Sequence, residues 1–335
     1  MNLLCPICKV GLSNQQTQAN ELTCPQCLRK FEVSNGIPLL YWPTEDTNVD
    51  NVSEMVKAFY EETPFPNYNE TDTVTRLIEK AERSIFPKLL EEQIPEDASI
   101  LEVGCGTGQL SNYLAISGRQ VYGADMCLNS LTLGCNFSVD QKINSVKFVQ
   151  MNLFRTIFSE GQFDVVICNG VLHHTLDPYG GFKSISKLVK PGGYVVIGLY
   201  NKIGRFWTNL RRGIFRMSNN RFKFLDSYLT RSDVDDIKKM TWFKDQYQHP
   251  HELSHTYDEV MEWFEKNDFD FVNAIPKPNI FAKFSEFESL FEETPKGSSF
   301  DHLLVQLKLA MTGAEEGGFF VMVGRSRKDN KPKTE

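Results

Sequence analysis

Residues 101–110 read LEVGCGTGQL. They close an apolar run that begins at Ala98, so 98–103 reads as a buried strand. A helix follows with Leu110 and Leu114 on its inner side, ending near Gly118. Between strand and helix stand Gly104, Gly106 and Gly108, and a glycine-rich turn at this point lets a ligand approach the backbone closely. A second strand, Val121-Tyr122-Gly123-Ala124, ends at Asp125, 21 residues beyond Gly104. An acid so placed can accept hydrogen bonds from ribose hydroxyls, which suits an adenosine-containing cofactor. A nicotinamide dinucleotide fits poorly: the G-x-G-x-x-G pattern needs a glycine at 109, where the chain has Gln109. Glu102, just before the turn, would also repel a pyrophosphate and attract a cofactor bearing an ammonium and a sulfonium.

The alternation of strand and helix continues, the pattern of a parallel sheet with crossover helices. A third strand, 146–150, leads to Asn152; a fourth, 163–168, leads to NGVLHHTLDP; Pro191-Gly192-Gly193 then turns the chain into a fifth, 194–199. Taken together, LEVGCGTGQL, VYGAD, FDVVICNGVLHH and LVKPGGYVVIG resemble the class I S-adenosylmethionine-dependent methyltransferase family, in family order and spacing over about residues 96–200. The VLHH segment is most similar to the quinone-biosynthesis and metabolite branch.

The resemblance implies an α/β, Rossmann-like sheet of seven strands, mostly parallel, with an antiparallel last strand. Residues 269–275 and 319–324 read as the sixth and seventh strands, joined by a long 276–316 connection with a helix around 301–311. It also implies that Gly104, Cys105, Gly106 and Gly108 with Glu102 hold the methionine portion of S-adenosyl-L-methionine, and that Asp125 binds the ribose. Met126 would lie against the adenine, Asn152 and Leu153 would meet its amino group, and Asn169 and Gly170 would border the methionine end. The family usually has Asp where this chain has Asn152, so weaker or retuned binding is expected there. His173 and His174 fall at the edge of the implied methyl-transfer pocket, as supports or as a base.

Ahead of this core, Cys5-Pro-Ile-Cys8 and Cys24-Pro-Gln-Cys27 are two C-x-x-C pairs separated by fifteen residues. That spacing is the one of a zinc ribbon, a closed tetrahedral four-thiolate site with a structural role. Two disulfides or free thiols are the alternative. The metal would supply much of the folding free energy of a segment with few large apolar residues.

HELSH, residues 251–255, matches the H-E-x-x-H pattern of zinc metalloproteases. The pattern works only on a helix, and here Thr256-x-x-Glu259 reads as a capping box that starts a helix after His255. Pro250 also turns His249 away from helical geometry, so a protease is not expected. His251 and His255 are either loop histidines or substrate-site groups that join His173 and His174 if the 201–256 segment folds over the strand ends.

The chain has a net charge of −7, against a protein that coats nucleic acid through its overall field. Between 202 and 231, however, eight basic residues stand against one acid, Asp226. Phe206, Leu210 and Ile214 repeat there at helical spacing with arginines interleaved. Such a segment can face a membrane surface, a nucleic acid, an acidic partner, or the pocket as a lid with its apolar side inward, which is the favoured expectation.

The expected organisation is a zinc ribbon (1–43), a helical lead-in covering the cofactor (44–95) with Tyr60 at the pocket, the cofactor-binding core (96–200), a basic helical lid (201–256), the rest of the core (257–326) and a disordered tail (327–335). No apolar run is long enough to span a bilayer, and MNLLCPIC lacks the features of a secretory signal, so a cytoplasmic protein is expected. The expected function is in-line methyl transfer to an O, N or C nucleophile of a small molecule. An RNA or protein acceptor recognised with the ribbon, or through the basic 202–231 segment, is one alternative; a non-catalytic cofactor-binding scaffold is another.

Overall fold

The apolar run around 100 becomes an interior strand because both of its faces find a layer to bury against. The structure, a computed structural model, describes residues 3–14, 20–64, 68, 72–232, 234–282, 284–285, 287–311 and 318–327. Beyond Arg327 the expected disordered tail lies outside these residues, as does 312–316 of the long connection.

In chain order the elements begin with β1 (Ser13–Asn14), β2 (Glu21–Thr23), β3 (Lys30–Ser34) and β4 (Ile37–Pro38), a small antiparallel sheet. Helices α1 (Thr47–Glu62), α2 (Val74–Glu82) and α3 (Ile85–Gln93) lead to β5 (Ser99–Val103), α4 (Gln109–Ala115), β6 (Gln120–Asp125), α5 (Leu128–Asp140) and β7 (Val146–Gln150). Then come β8 (Phe163–Asn169), α6 (Pro178–Ser186) and β9 (Val189–Tyr200). The inserted helices are α7 (Phe206–Met217), α8 (Ser227–Thr230) and α9 (Asp236–Gln248), and the chain closes with α10 (Tyr257–Lys266), β10 (Phe269–Ile275), α11 (Ser299–Met311) and β11 (Phe319–Ser326).

The large sheet has seven strands in the order β10-β11-β9-β8-β5-β6-β7, with β11 antiparallel to both neighbours and the other pairings parallel. This is the Rossmann-like methyltransferase sheet expected from the sequence. Side chains alternate between two cores: Leu101, Val166, Val195 and Ile197 face one, while Ile100, Val165, Ile167 and Val196 face the other. Pairing of β8 with β9 jumps from Phe163↔Val189 to Val165↔Tyr194, so the Pro-Gly-Gly turn is a wide bulge within β9. The strand order reverses between β5 and β8, and ligands in such sheets bind outside the carboxyl ends at that point.

The N-terminal module docks on the free edge of β7. Leu39 forms a parallel bridge to Gln150, Leu40 N donates to Gln150 O at 3.0 Å, and Leu4 N donates to Ile157 O at 2.8 Å. Cys5, Cys24, Phe31 and Leu40 join the core of the large sheet. Edge pairing satisfies backbone groups that would otherwise stay open.

In the 201–256 segment, HELSH is extended, not helical. His255 N donates to Tyr200 O at 2.8 Å and Leu253 N to His173 O at 2.7 Å, which straps the segment across the end of β9. Helix α10 then starts at its capping box, Thr256 with Glu259. Arg205 is fully buried and makes two bonds to Glu252, at 2.6 and 3.1 Å, and Arg212 donates to the same carboxylate at 2.8 Å. These bonds turn the arginines of the first helical turns inward and leave Phe206, Trp207, Leu210 and Met217 exposed. Of the apolar residues expected to cover the pocket, Phe206 and Leu210 instead face outward, while Ile214 and Phe215 pack inward against Phe243 and Tyr247 of α9, and no residue of α7 lines the cavity over the carboxyl ends of the strands.

Candidate functional site

A cavity of about 500 Å³ lies over the carboxyl ends of the central strands. Its floor is the turn after β5. Gly104, Gly106 and Gly108 have φ of 71°, 53° and 68°, the left-handed region that glycine adopts without strain. A Cβ on Gly104 would stand 2.2 Å from Val171 Cγ2, and one on Gly108 2.4 Å from Phe148 Cε1, so the turn is pressed against both neighbours.

Asp125, at the end of β6, accepts from Gly106 N at 2.9 Å and from Cys127 N at 2.8 Å. Burial raises its pKa, and these amide donors oppose the rise. Glu102 is buried beneath the turn and accepts from the Ser111 hydroxyl; burial pushes its carboxyl up to about 7. Asn152 Oδ1 accepts from Phe154 N at 3.0 Å and its Nδ2 donates to Trp42 O at 3.0 Å. The second bond explains an amide at this position, because a carboxylate has no hydrogen to give Trp42. The side-chain oxygen of Asn169 is buried with no protein partner.

Of the residues expected around the cofactor, Glu102, Gly104, Cys105, Gly106, Asp125, Met126, Asn152, Leu153, Asn169 and Gly170 line the cavity, and Gly108 does not. Shape and donor set suit a nucleoside with a cationic tail: a backbone cradle without Cβ atoms, an acid at the second strand, and an orphaned amide oxygen at the fourth.

The far wall is made by Tyr60, His174, Thr175, Tyr200, Asp245 and Phe319. Tyr60 donates to Asp245 Oδ1 at 3.2 Å, joining α1 to α9 across the cavity, and Gln246 Nε2 donates to Asp245 Oδ2 at 2.9 Å. Burial raises the Asp245 pKa against these two donors. His174 Nδ1 lies 3.0 Å from His251 O, so that nitrogen carries the ring hydrogen and Nε2 is left as the proton acceptor. Burial lowers the His174 pKa to about 3, and the ring is neutral at physiological pH.

The histidines divide into two groups. His173 packs between His174 and Tyr200, and His249 stacks on His174 with centroids 3.6 Å apart. Neither lines the cavity. The His251 ring faces Thr175 O at 3.1 Å, and His255 lies against Glu259 and Trp263. Of the four histidines singled out in the sequence, His174 alone reaches the cavity wall. Tyr200 was discoverable as the last residue of a central strand, where ligands bind. Asp245 and Phe319 carry no such mark.

In the N-terminal module the ligand atoms of Cys5, Cys8, Cys24 and Cys27 all lie within 4.8 Å of one another. The two pairs share one local geometry: Cys8 N donates to Cys5 Sγ and Cys27 N to Cys24 Sγ, each at 3.5 Å. In each the next residue, Lys9 or Leu28, has positive φ and closes the turn onto the first cysteine's carbonyl. Tetrahedral thiolates about 2.3 Å from zinc stand about 3.8 Å apart, and Cys5 Sγ to Cys27 Sγ is 3.9 Å. The donor set fits such an ion.

Residues 101–197 match the family model described as a methyltransferase domain. An uncharacterised protein of Synechococcus sp. is 26% identical over 202 residues, covering 52% of this chain and 47% of its own. The ubiquinone biosynthesis O-methyltransferase of Escherichia coli O7:K1 is 35% identical over 109 residues, 32% of this chain and 45% of that protein. The chain thus spans just under half the length of these curated relatives. Among solved structures, PKMT2 from Rickettsia typhi superposes with a TM-score of 0.50 at 17% identity, covering 73% of this chain and 54% of that one; this likeness concerns the fold. The family match shows that residues 101–197 are similar to a methyltransferase domain. No helix among the described residues is long and apolar enough to cross a membrane.

Proposed function

We propose that the protein is an S-adenosylmethionine-dependent methyltransferase acting on a small molecule. One observation carries this reading: a single cavity joins the glycine turn and Asp125 to a far wall that includes the bonded pair Tyr60 and Asp245. A cavity of about 500 Å³ suits a small acceptor better than a macromolecular one. The E. coli relative named for O-methylation in ubiquinone biosynthesis agrees with that choice.

When bound, S-adenosylmethionine supplies a methyl group already activated by its sulfonium. The protein's part is alignment and proton handling. Gly104, Gly106 and Asp125 hold the cofactor, with Asn152 and Leu153 at the adenine and Asn169 and Gly170 at the methionine end. Met126 packs against the base. For an acceptor with an O–H or protonated nitrogen, Asp245 and His174 Nε2 are the groups positioned to take the proton. Asp245 is the stronger base of the two, since burial raises its pKa and lowers that of His174. The four cysteines hold structural zinc.

The test is transfer of labelled methyl from S-adenosylmethionine into a cell extract, separated into small-molecule, lipid, RNA and protein fractions. Label in the small-molecule or lipid fraction is expected. Label in RNA or protein would overturn the acceptor class and give the ribbon a recognition role. Cofactor binding with no label in any fraction would leave a scaffold.

A further inference from the structure

We propose that the outer face of α7, with the basic segment after it, docks on an anionic lipid bilayer. Phe206, Leu210 and Met217 are 55%, 46% and 91% exposed, and with Gly213 they form one stripe at four-, three- and four-residue steps. Trp207, 47% exposed, flanks the stripe. An ordinary surface helix buries such a stripe. This one cannot turn it inward, because Arg205 and Arg212 are tied to the buried Glu252 on the opposite side. The chain continues in the same manner, exposing Phe222, Phe224 and Leu225.

Charge selects the occupant. Lys202, Arg216 and Arg221 are exposed in this segment. Its one acid, Asp226, is buried and accepts from Trp242 Nε1 at 3.1 Å and Tyr247 OH at 2.7 Å, so it leaves the outer charge uncancelled. A second copy of the chain would bring like charges together across a two-fold axis. A nucleic acid would meet the cations but leave the aliphatic stripe in water. Apolar and aromatic side chains bordered by Arg and Lys are what a helix lying in an anionic interface needs. The same insertion supplies Asp245 to the cavity wall, so docking would bring one wall of the site to a membrane-dissolved acceptor.

The test is co-sedimentation of the full chain with vesicles of phosphatidylcholine plus phosphatidylglycerol, against phosphatidylcholine alone. Sedimentation with the anionic vesicles only, weakened by salt, is expected. Phe206→Ser/Leu210→Ser/Met217→Ser and Arg216→Glu/Arg221→Glu should each weaken it about tenfold or more. Calorimetric binding of S-adenosylhomocysteine should be unchanged in both variants, which shows that the cavity is intact. A wild-type protein that stays in the supernatant, or variants that sediment like it, would overturn the proposal. So would a lipid-free dimer that the serine variant converts to monomer, since the stripe would then be a self-interface.

Discussion

At Glu102 a carboxyl group is largely buried at the cavity, 7% exposed, and stability should record the fact. Its pKa rises from an ordinary 4.5 to about 7, with burial the largest cause. A raised folded-state pKa means the native chain binds the extra proton between these values. The stabilisation is full below pH 4.5 and is lost as pH rises through 7. In chemical denaturation without cofactor, the wild type should lose roughly 3 kcal/mol of stability across that window through this group. Glu102→Gln, which stays neutral and can still accept from Ser111, should flatten that part of the profile; an unchanged slope would assign it to other groups. Glu102 and Asp125 were legible in the sequence because short spacings set their positions relative to the glycine turn. Asp245 was not, because its partner Tyr60 is 185 residues away and nothing in the local pattern of α9 announces a cavity.

Among the elements, the insertion separates what periodicity reveals from what it hides. Spacing of Phe206, Leu210 and Ile214 predicted a helix, and α7 is there. Its inward face was not legible, since that depends on Arg205 and Arg212 meeting Glu252, 47 and 40 positions on. The sequence did exclude a helical HELSH, because the capping box and Pro250 act within a few residues. Glu252→Gln should destabilise the fold by about 3–5 kcal/mol, since it leaves the buried Arg205 without its counter-charge. Urea denaturation monitored by tryptophan fluorescence checks this; a change below about 1 kcal/mol would mean that water reaches the pair. The link between Trp42 and Asn152, two residues past β7, makes a second prediction. Asn152→Asp cannot donate to Trp42 O and sets a carboxylate against a carbonyl. Calorimetry should show S-adenosylhomocysteine bound about tenfold more weakly, the effect of losing one buried hydrogen bond. Equal or tighter binding would show that the bond to Trp42 O does not support the cofactor site.

Over the whole molecule, the central sheet and the four-cysteine module were each legible alone, from strand-helix alternation and from C-x-x-C spacing. Their mutual placement was not, because pairing along an open strand edge uses backbone groups that leave no mark in the side-chain pattern. That placement gives the metal proposed for the module a reach beyond its own knuckles. Cys5 and Cys24 share a core with the central sheet, Leu40 pairs with Gln150, and Trp42 holds Asn152 at the cavity. If zinc organises the module, its loss should free the edge of β7 and loosen the adenine side. Protein stripped by a chelator, or carrying Cys5→Ser/Cys8→Ser, should lose bound zinc by elemental analysis and melt several degrees lower, about 2–4 °C for each kcal/mol lost. It should also bind S-adenosylhomocysteine roughly tenfold more weakly, as Asn152→Asp does, because both break the same link. Combining Asn152→Asp with metal removal should then cost little more than either alone, as coupled groups do. Fully additive losses would mean that the module and the cavity act independently, with the ribbon stabilising only itself.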